Sequence, residues 1–188
     1  MSEGEILRGR TWRFGDHVDT DVIIPVRYCN MFRKEELGPH AMAGADPEFA
    51  SSIAPGDLIV AGTNFGCGSS RETAPVALLG AGVGAVVAAS FGRIFFRNAV
   101  NVGLPIFESP EASAACQAGD RLVVDAARGV IRNETRGLSF PFAPYSAQVA
   151  EIIAAGGLVP YVRRRLGLPL RSEARLKASR RPERRSHP

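Results

Sequence analysis

Two apolar runs of strand length, each leading through a glycine-containing turn into a segment of helical spacing, most limit what this chain can become. Residues 57–63 (DLIVAGT) read as a buried strand and 71–79 (RETAPVALL) as the first turns of a helix with an apolar face. Residues 84–90 (GAVVAAS) and 93–100 repeat that order, and Gly103-Leu104-Pro105 ends the second helix. Such alternation places the chain among α/β folds. Upstream, residues 6–14 read as a first strand and 15–21 as a polar loop in which Asx turns are expected. Residues 33–37 have helical character, broken at 44–47. Beyond residue 108, the runs 121–126 and 130–135 flank Ala127-Arg128-Gly129 like a hairpin. A further helix is expected over 145–155, ended by Gly156-Gly157.

The turn between the first strand and helix of this series is Asn64-Phe65-Gly66-Cys67-Gly68-Ser69-Ser70-Arg71-Glu72. Gly66 and Gly68 let backbone approach a ligand, and a helix N-terminus beyond them offers N–H groups with partial positive charge. A carboxylate or an alkoxide would be stabilised there. The plainer alternative is that Ser69 or Ser70 caps the helix, with Glu72 completing a capping box. A serine in acid/base work needs its oxyanion held by cationic and N–H donors, and Arg71 stands two residues after Ser69.

The 188 residues suit one domain, and 45% hydrophobic content with near-zero mean hydropathy suits a globular protein. Neither a spanning apolar run nor a leader-like N-terminus is visible, so the expected compartment is the cytoplasm. The formal charge of +4 suggests nucleic acid until it is divided. Residues 163–188 hold ten of the 23 Lys and Arg but two of the 19 Asp and Glu, giving +8 there and −4 before it. The expectation is therefore a domain over 1–162 and a basic extension over 163–188 that is disordered over most of its length. Cys29, Cys67 and Cys116 are widely spaced, and His17, His40 and His187 are the only histidines, so no metal site is expected on this chain alone.

Three blocks in order carry a family resemblance: Gly15-Asp16-His17-Val18-Asp19-Thr20-Asp21-Val22-Ile23-Ile24-Pro25, the Gly-Ser-Ser-Arg-Glu loop at 68–72, and Ser90-Phe91-Gly92-Arg93-Ile94-Phe95-Phe96-Arg97-Asn98. Over about residues 6–160 the chain resembles the small-subunit, or swivelling-domain, sequences of aconitase-type hydro-lyases, and within them the branch that handles isopropylmalate. The resemblance implies a swivelling β/β/α domain. It also implies a 4Fe-4S cluster on a separate large subunit, which this chain would need as its partner. By resemblance Ser69 is the base that removes a carbon-bound proton and Arg71 stabilises its alkoxide. Ser70 and the loop N–H groups around Gly68 would hold a carboxylate of a 2-hydroxy di- or tricarboxylate. Asp21 matches a family aspartate that faces the active site, whereas Asp16 and Asp19 are expected to be structural.

Residues 27–33 (RYCNMFR) fall where the family distinguishes substrates. Tyr28, Asn30, Met31 and Arg33 are the candidates there. Asn30 stands where a homoaconitase-like enzyme would offer an arginine, and Met31 suits an isopropyl group. Arg27 and Arg33 keep a carboxylate-binding alternative open, and Tyr28 and Met31 as plain core residues are a third. Arg93 and Arg97, four apart on a helical face, read as surface ion-pair partners, and the resemblance leaves open a role near the subunit interface or the substrate. Two other classes remain: an anion-binding module without a cluster partner, and RNA contact through the basic tail. Within the enzyme class, homoaconitate, citrate, methylcitrate and dimethylmalate are the alternative substrates.

Overall fold

The computed structural model describes residues 6–169. Seven strands form one sheet in the order β4-β3-β2-β1-β5-β6-β7. They are β1 (Ile6–Arg13), β2 (Leu58–Ala61), β3 (Ala85–Ala88), β4 (Ile106–Glu108), β5 (Arg121–Asp125), β6 (Val130–Asn133) and β7 (Leu138–Pro141). The helices are α1 (Thr20–Ile23), α2 (Lys34–Leu37), α3 (Phe49–Ser52), α4 (Thr73–Ala81), α5 (Arg93–Val102), α6 (Pro110–Ala115), α7 (Ala147–Ala154) and α8 (Leu158–Arg165).

The first strand belongs to both halves of the sheet. Its residues Ile6 to Arg10 pair antiparallel with β5, and Thr11 to Arg13 pair parallel with β2. From there β2, β3 and β4 continue in parallel and β5, β6 and β7 antiparallel. The parallel half is buried on both faces, as continuous apolar strands require. Ile59, Ala61, Val86 and Ala88 face a core shared with α4 and α5. Leu58, Val60, Ala85 and Val87 face a second core with Leu122, Val124 and Ile131 of the antiparallel half. Two β layers and one helical layer result, the β/β/α arrangement expected of a swivelling domain.

The edge strand β4 is closed by Tyr145. Its hydroxyl accepts from Ile106 N at 2.7 Å and donates to the Ile106 carbonyl, leaving that stretch unavailable for pairing with another strand. Burial pushes this phenol well above its usual pKa.

Sequence expectation and structure agree for β1, β2, β3, α2, α5, the β5–β6 hairpin and α7. The helix expected from Arg71 begins at Thr73 instead, because the Arg71 N–H bonds back to Ser69 O at 2.8 Å and so forms a turn. Glu72 is the cap residue and makes no side-chain capping bond, which removes the capping-box alternative for Ser69 and Ser70. The short strands β4 and β7 and the helices α1, α3, α6 and α8 have no counterpart in the sequence expectations. Arg163, Arg164 and Arg165, the start of the basic extension, form the last turn of α8, where cations suit the carbonyl end of a helix. Most of that extension, from residue 170, lies outside the described residues.

A buried polar cluster fixes the β5–β6 hairpin. Asp120, 3% exposed, accepts from Gln117 N at 2.8 Å, Asn133 Nδ2 at 2.8 Å and Arg136 Nε at 2.7 Å. Burial alone would raise its pKa, but these bonds outweigh it and hold the carboxyl below the ordinary 3.8. A folded value below the unfolded one means the stabilisation is present above about pH 4 and fades as pH falls through the folded value. Asp120→Asn is expected to cost about 2 kcal/mol at pH 7. It should also flatten the fall in urea midpoint below pH 4. Equal acid slopes in wild type and variant would show that Asp120 is not responsible.

Candidate active site

The three sequence blocks meet at one edge of the parallel half, beyond the carboxyl ends of β1, β2 and β3. Open α/β sheets place ligand sites at such an edge, where successive strands release their loops. Hydrogen bonds join the loops directly. Gly66 N donates to Val18 O at 2.7 Å and Thr20 N to Cys67 O at 2.9 Å, so the serine loop runs beside the loop after β1. Phe65 N donates to Ser90 O at 3.0 Å, Gly92 N to Phe65 O at 2.9 Å, and Asn64 N to Ser90 Oγ at 2.9 Å. Gly66 has φ +75°, and a Cβ on it would collide with the Phe95 ring. Only glycine lets the loop lie that close to α5.

The acidic loop divides as its chemistry demands. Asp16 accepts from Thr63 N at 2.6 Å and Thr63 Oγ1 at 3.0 Å, bonds that lower its pKa. Asp19 caps α1 by accepting from Val22 N at 2.8 Å. Both are consumed by structure. Asp21 instead reaches across and pairs with Arg71 Nη1, and this bond raises the arginine's pKa further. The Arg71 side chain is 20% exposed and that of Asp21 54%, so the guanidinium is the more enclosed member.

Ser69 and Ser70 sit beside this pair, both exposed. The Ser69 carbonyl accepts from Thr20 Oγ1 at 3.2 Å and from Arg71 N. Its hydroxyl, like that of Ser70, has no hydrogen-bond partner among the described residues. The peptide is therefore fixed while the hydroxyls stay free for a ligand. Gly68, at φ +88°, completes the loop, with Thr20 Oγ1 and Asp19 Cβ each 3.5 Å from where a Cβ would stand.

The segment of residues 27–33 lies beside the N-terminus of α4, with Cys29 Sγ 4.0 Å from Thr73 Oγ1. Tyr28 stacks on His40 at 3.8 Å between ring centroids, and Arg27 covers it at 4.8 Å. Tyr28 and Met31 also pack against the helical-face core. Asn30 and Arg33 are exposed, and Arg33 pairs with Glu36 at 3.2 Å, an exposed pair of small energetic weight. Arg93 and Arg97, read from sequence as ion-pair partners, have no carboxylate within 4.0 Å among the described residues. They line a groove with Gly66, Cys67 and Gly68, a placement that only the parallel strand order reveals.

No three His, Cys, Asp or Glu side chains converge as metal ligands among the described residues. The cysteines lie apart: Cys29 against Thr73, Cys67 in the serine loop, and Cys116 buried and bonded by Asn133 Nδ2 at 3.4 Å. Burial pushes the Cys116 thiol up. Three scattered thiols do not fit an iron–sulfur cluster held by this chain. No helix of the described residues is long and apolar enough to cross a membrane.

This fold and loop set define an aconitase-type swivelling domain, and a family model for the aconitase C-terminal domain matches residues 45–111. The chain is 58% identical over 161 residues, 86% of its length and 97% of the relative's, to a 3-isopropylmalate dehydratase small subunit of Moorella thermoacetica. A methanogen homoaconitase small subunit of Methanothermobacter thermautotrophicus is 54% identical over 82% of this chain and 89% of its own. The crystal structure of a 3-isopropylmalate dehydratase from Methanocaldococcus jannaschii superposes with a TM-score of 0.81 at 40% identity, covering 93% of this chain and 99% of that one. The chain belongs to the 3-isopropylmalate dehydratase small-subunit family of aconitase-type hydro-lyases. Membership of a small-subunit family implies a large-subunit partner.

Proposed function

We propose that this chain is the small subunit of a cytoplasmic hydro-lyase that interconverts 2-isopropylmalate and 3-isopropylmalate in leucine biosynthesis. The observation that carries the chemistry is the Ser69 hydroxyl, without a partner among the described residues, on a pinned peptide beside the Asp21–Arg71 pair. As alkoxide, Ser69 takes the proton from the carbon next to the one bearing the hydroxyl. The electron pair forms the double bond as hydroxide departs, and water returns across the same bond in the opposite sense with Ser69 giving back the proton. Arg71 lowers the cost of the alkoxide, and Asp21 holds the guanidinium in place. Ser70 and the N–H groups around Gly68 bind a substrate carboxylate. A 4Fe-4S cluster on the large subunit supplies Lewis-acid polarisation of the departing hydroxyl when bound.

The substrate's third substituent is read by Asn30 and Met31, with Tyr28 shaping the segment from behind. An exposed Arg33 and the 54% identity to a homoaconitase small subunit favour a second reading, in which a carboxylate occupies that position. Both are tested by anaerobic co-expression with the large subunit, following formation of the unsaturated acid from 3-isopropylmalate, homocitrate and citrate. Preferred turnover of isopropylmalate is the expected result. Preferred turnover of homocitrate would replace the substrate, and an inert complex would refute the enzyme reading.

A further inference from the structure

The proposed chemistry leaves one face of α5 unused. Phe95 and Ala99 of this helix are buried, whereas Arg93, Ile94 and Arg97 are exposed, Ile94 by 51%. The three side chains line an open groove of about 570 Å³ whose other walls come from Asn64, Gly66, Cys67 and Gly68 of the serine loop and from Phe91 and Gly92. Loop and helix approach closely at Gly66 and Gly92, where neither has room for a side chain. A Cβ on Gly92 would lie 2.7 Å from Gly66 O, and one on Gly66 would meet Phe95.

Two cations without a carboxylate partner among the described residues flank an exposed isoleucine, in a part of the chain, residues 1–162, whose net charge is −4. An apolar centre between arginines is the composition of a protein interface rather than of a solvated helix face. The groove includes Gly68 but not Ser69, Ser70, Arg71 or Asp21, so it adjoins the candidate site without being it. Any chain that closes over the serine loop at Gly68 runs directly onto this groove.

We infer that the groove seats an acidic segment of the large subunit, its carboxylates pairing with Arg93 and Arg97 and an apolar side chain covering Ile94. The inference rests on the proposed role as a small subunit. It commits to a protein partner; a substrate carboxylate bound by the same arginines is the competing occupant.

The test is the dissociation constant between full-length small subunit and the cluster-loaded large subunit, measured at low and high salt, together with kcat and KM of the complex. Arg93→Glu combined with Arg97→Glu is expected to weaken association about a hundredfold and to flatten its salt dependence. Arg93→Lys with Arg97→Lys, which keeps the charge, should stay within about tenfold of wild type. Ile94→Ser should weaken association about tenfold. Unaltered circular dichroism of the charge-reversal variant separates lost docking from lost folding; if that variant misfolds, the Ile94→Ser and salt measurements decide. Unchanged association with a raised KM would overturn the inference in favour of substrate binding. Unchanged association and unchanged kinetics would overturn it outright. Wild-type protein that binds no large subunit would defeat the subunit reading itself, and this inference with it.

Discussion

Ser69→Ala in the assembled enzyme is expected to lower kcat about a thousandfold while KM changes less than about threefold, the range set by removal of a positioned proton-transfer group. The substitution deletes one hydroxyl that has no partner among the described residues. The contacts that fix residue 69, from Thr20 Oγ1 and Arg71 N, go to its carbonyl and survive. Folding and assembly should therefore be unaffected, and the loss should appear in the chemical step. Exchange of the substrate's carbon-bound proton with solvent deuterium, followed by NMR, should fall with kcat. If Ser70→Ala abolished exchange and Ser69→Ala only raised KM, the roles of the two serines would be reversed.

Much of this site could be read from the chain because its chemistry is local. The glycines and serines of residues 64–72 lie in one continuous loop, and Asp16 and Asp19 stand where short side chains find backbone N–H groups nearby. What could not be read depends on strand order. The proximity of Asp21 to Arg71, fifty residues on, follows from β1 lying beside β2, with Thr20 and Cys67 joined by a hydrogen bond. Spacing alone makes Arg93 and Arg97 read as surface ion-pair partners, because helical periodicity gives a face but not the face opposite. The helix starts at Thr73, two residues later than its sequence pattern suggests, for a similar reason. Arg71 has ample helix propensity, but its side chain is claimed by Asp21 and its N–H by Ser69. The strands β4 and β7 are only three and four residues long, too short to show a period of two. Their existence is decided by pairing with β3 and β6.

The second large effect expected is at Arg71, and it is inseparable from Asp21. Arg71→Ala should lower kcat about a hundredfold, the scale of removing a preorganised donor from a developing oxyanion. Lysine at this position keeps a positive charge but not a fork that can hold Asp21 and serve an alkoxide together, so Arg71→Lys should recover only part of that loss. Asp21→Asn should cost about tenfold, because the proposed mechanism gives it only the part of orienting a guanidinium that remains present. The combination decides whether the aspartate acts through the arginine. If it does, Asp21→Asn in the Arg71→Ala background should cost almost nothing more, leaving the double variant near the single arginine variant. If Asp21 met the substrate directly, the losses would multiply to about a thousandfold. The cycle is to be measured on complexes shown to contain both subunits, since an Asp21–Arg71 pair that merely stiffened the loop would change assembly or thermal stability and leave the kcat of intact complexes alone.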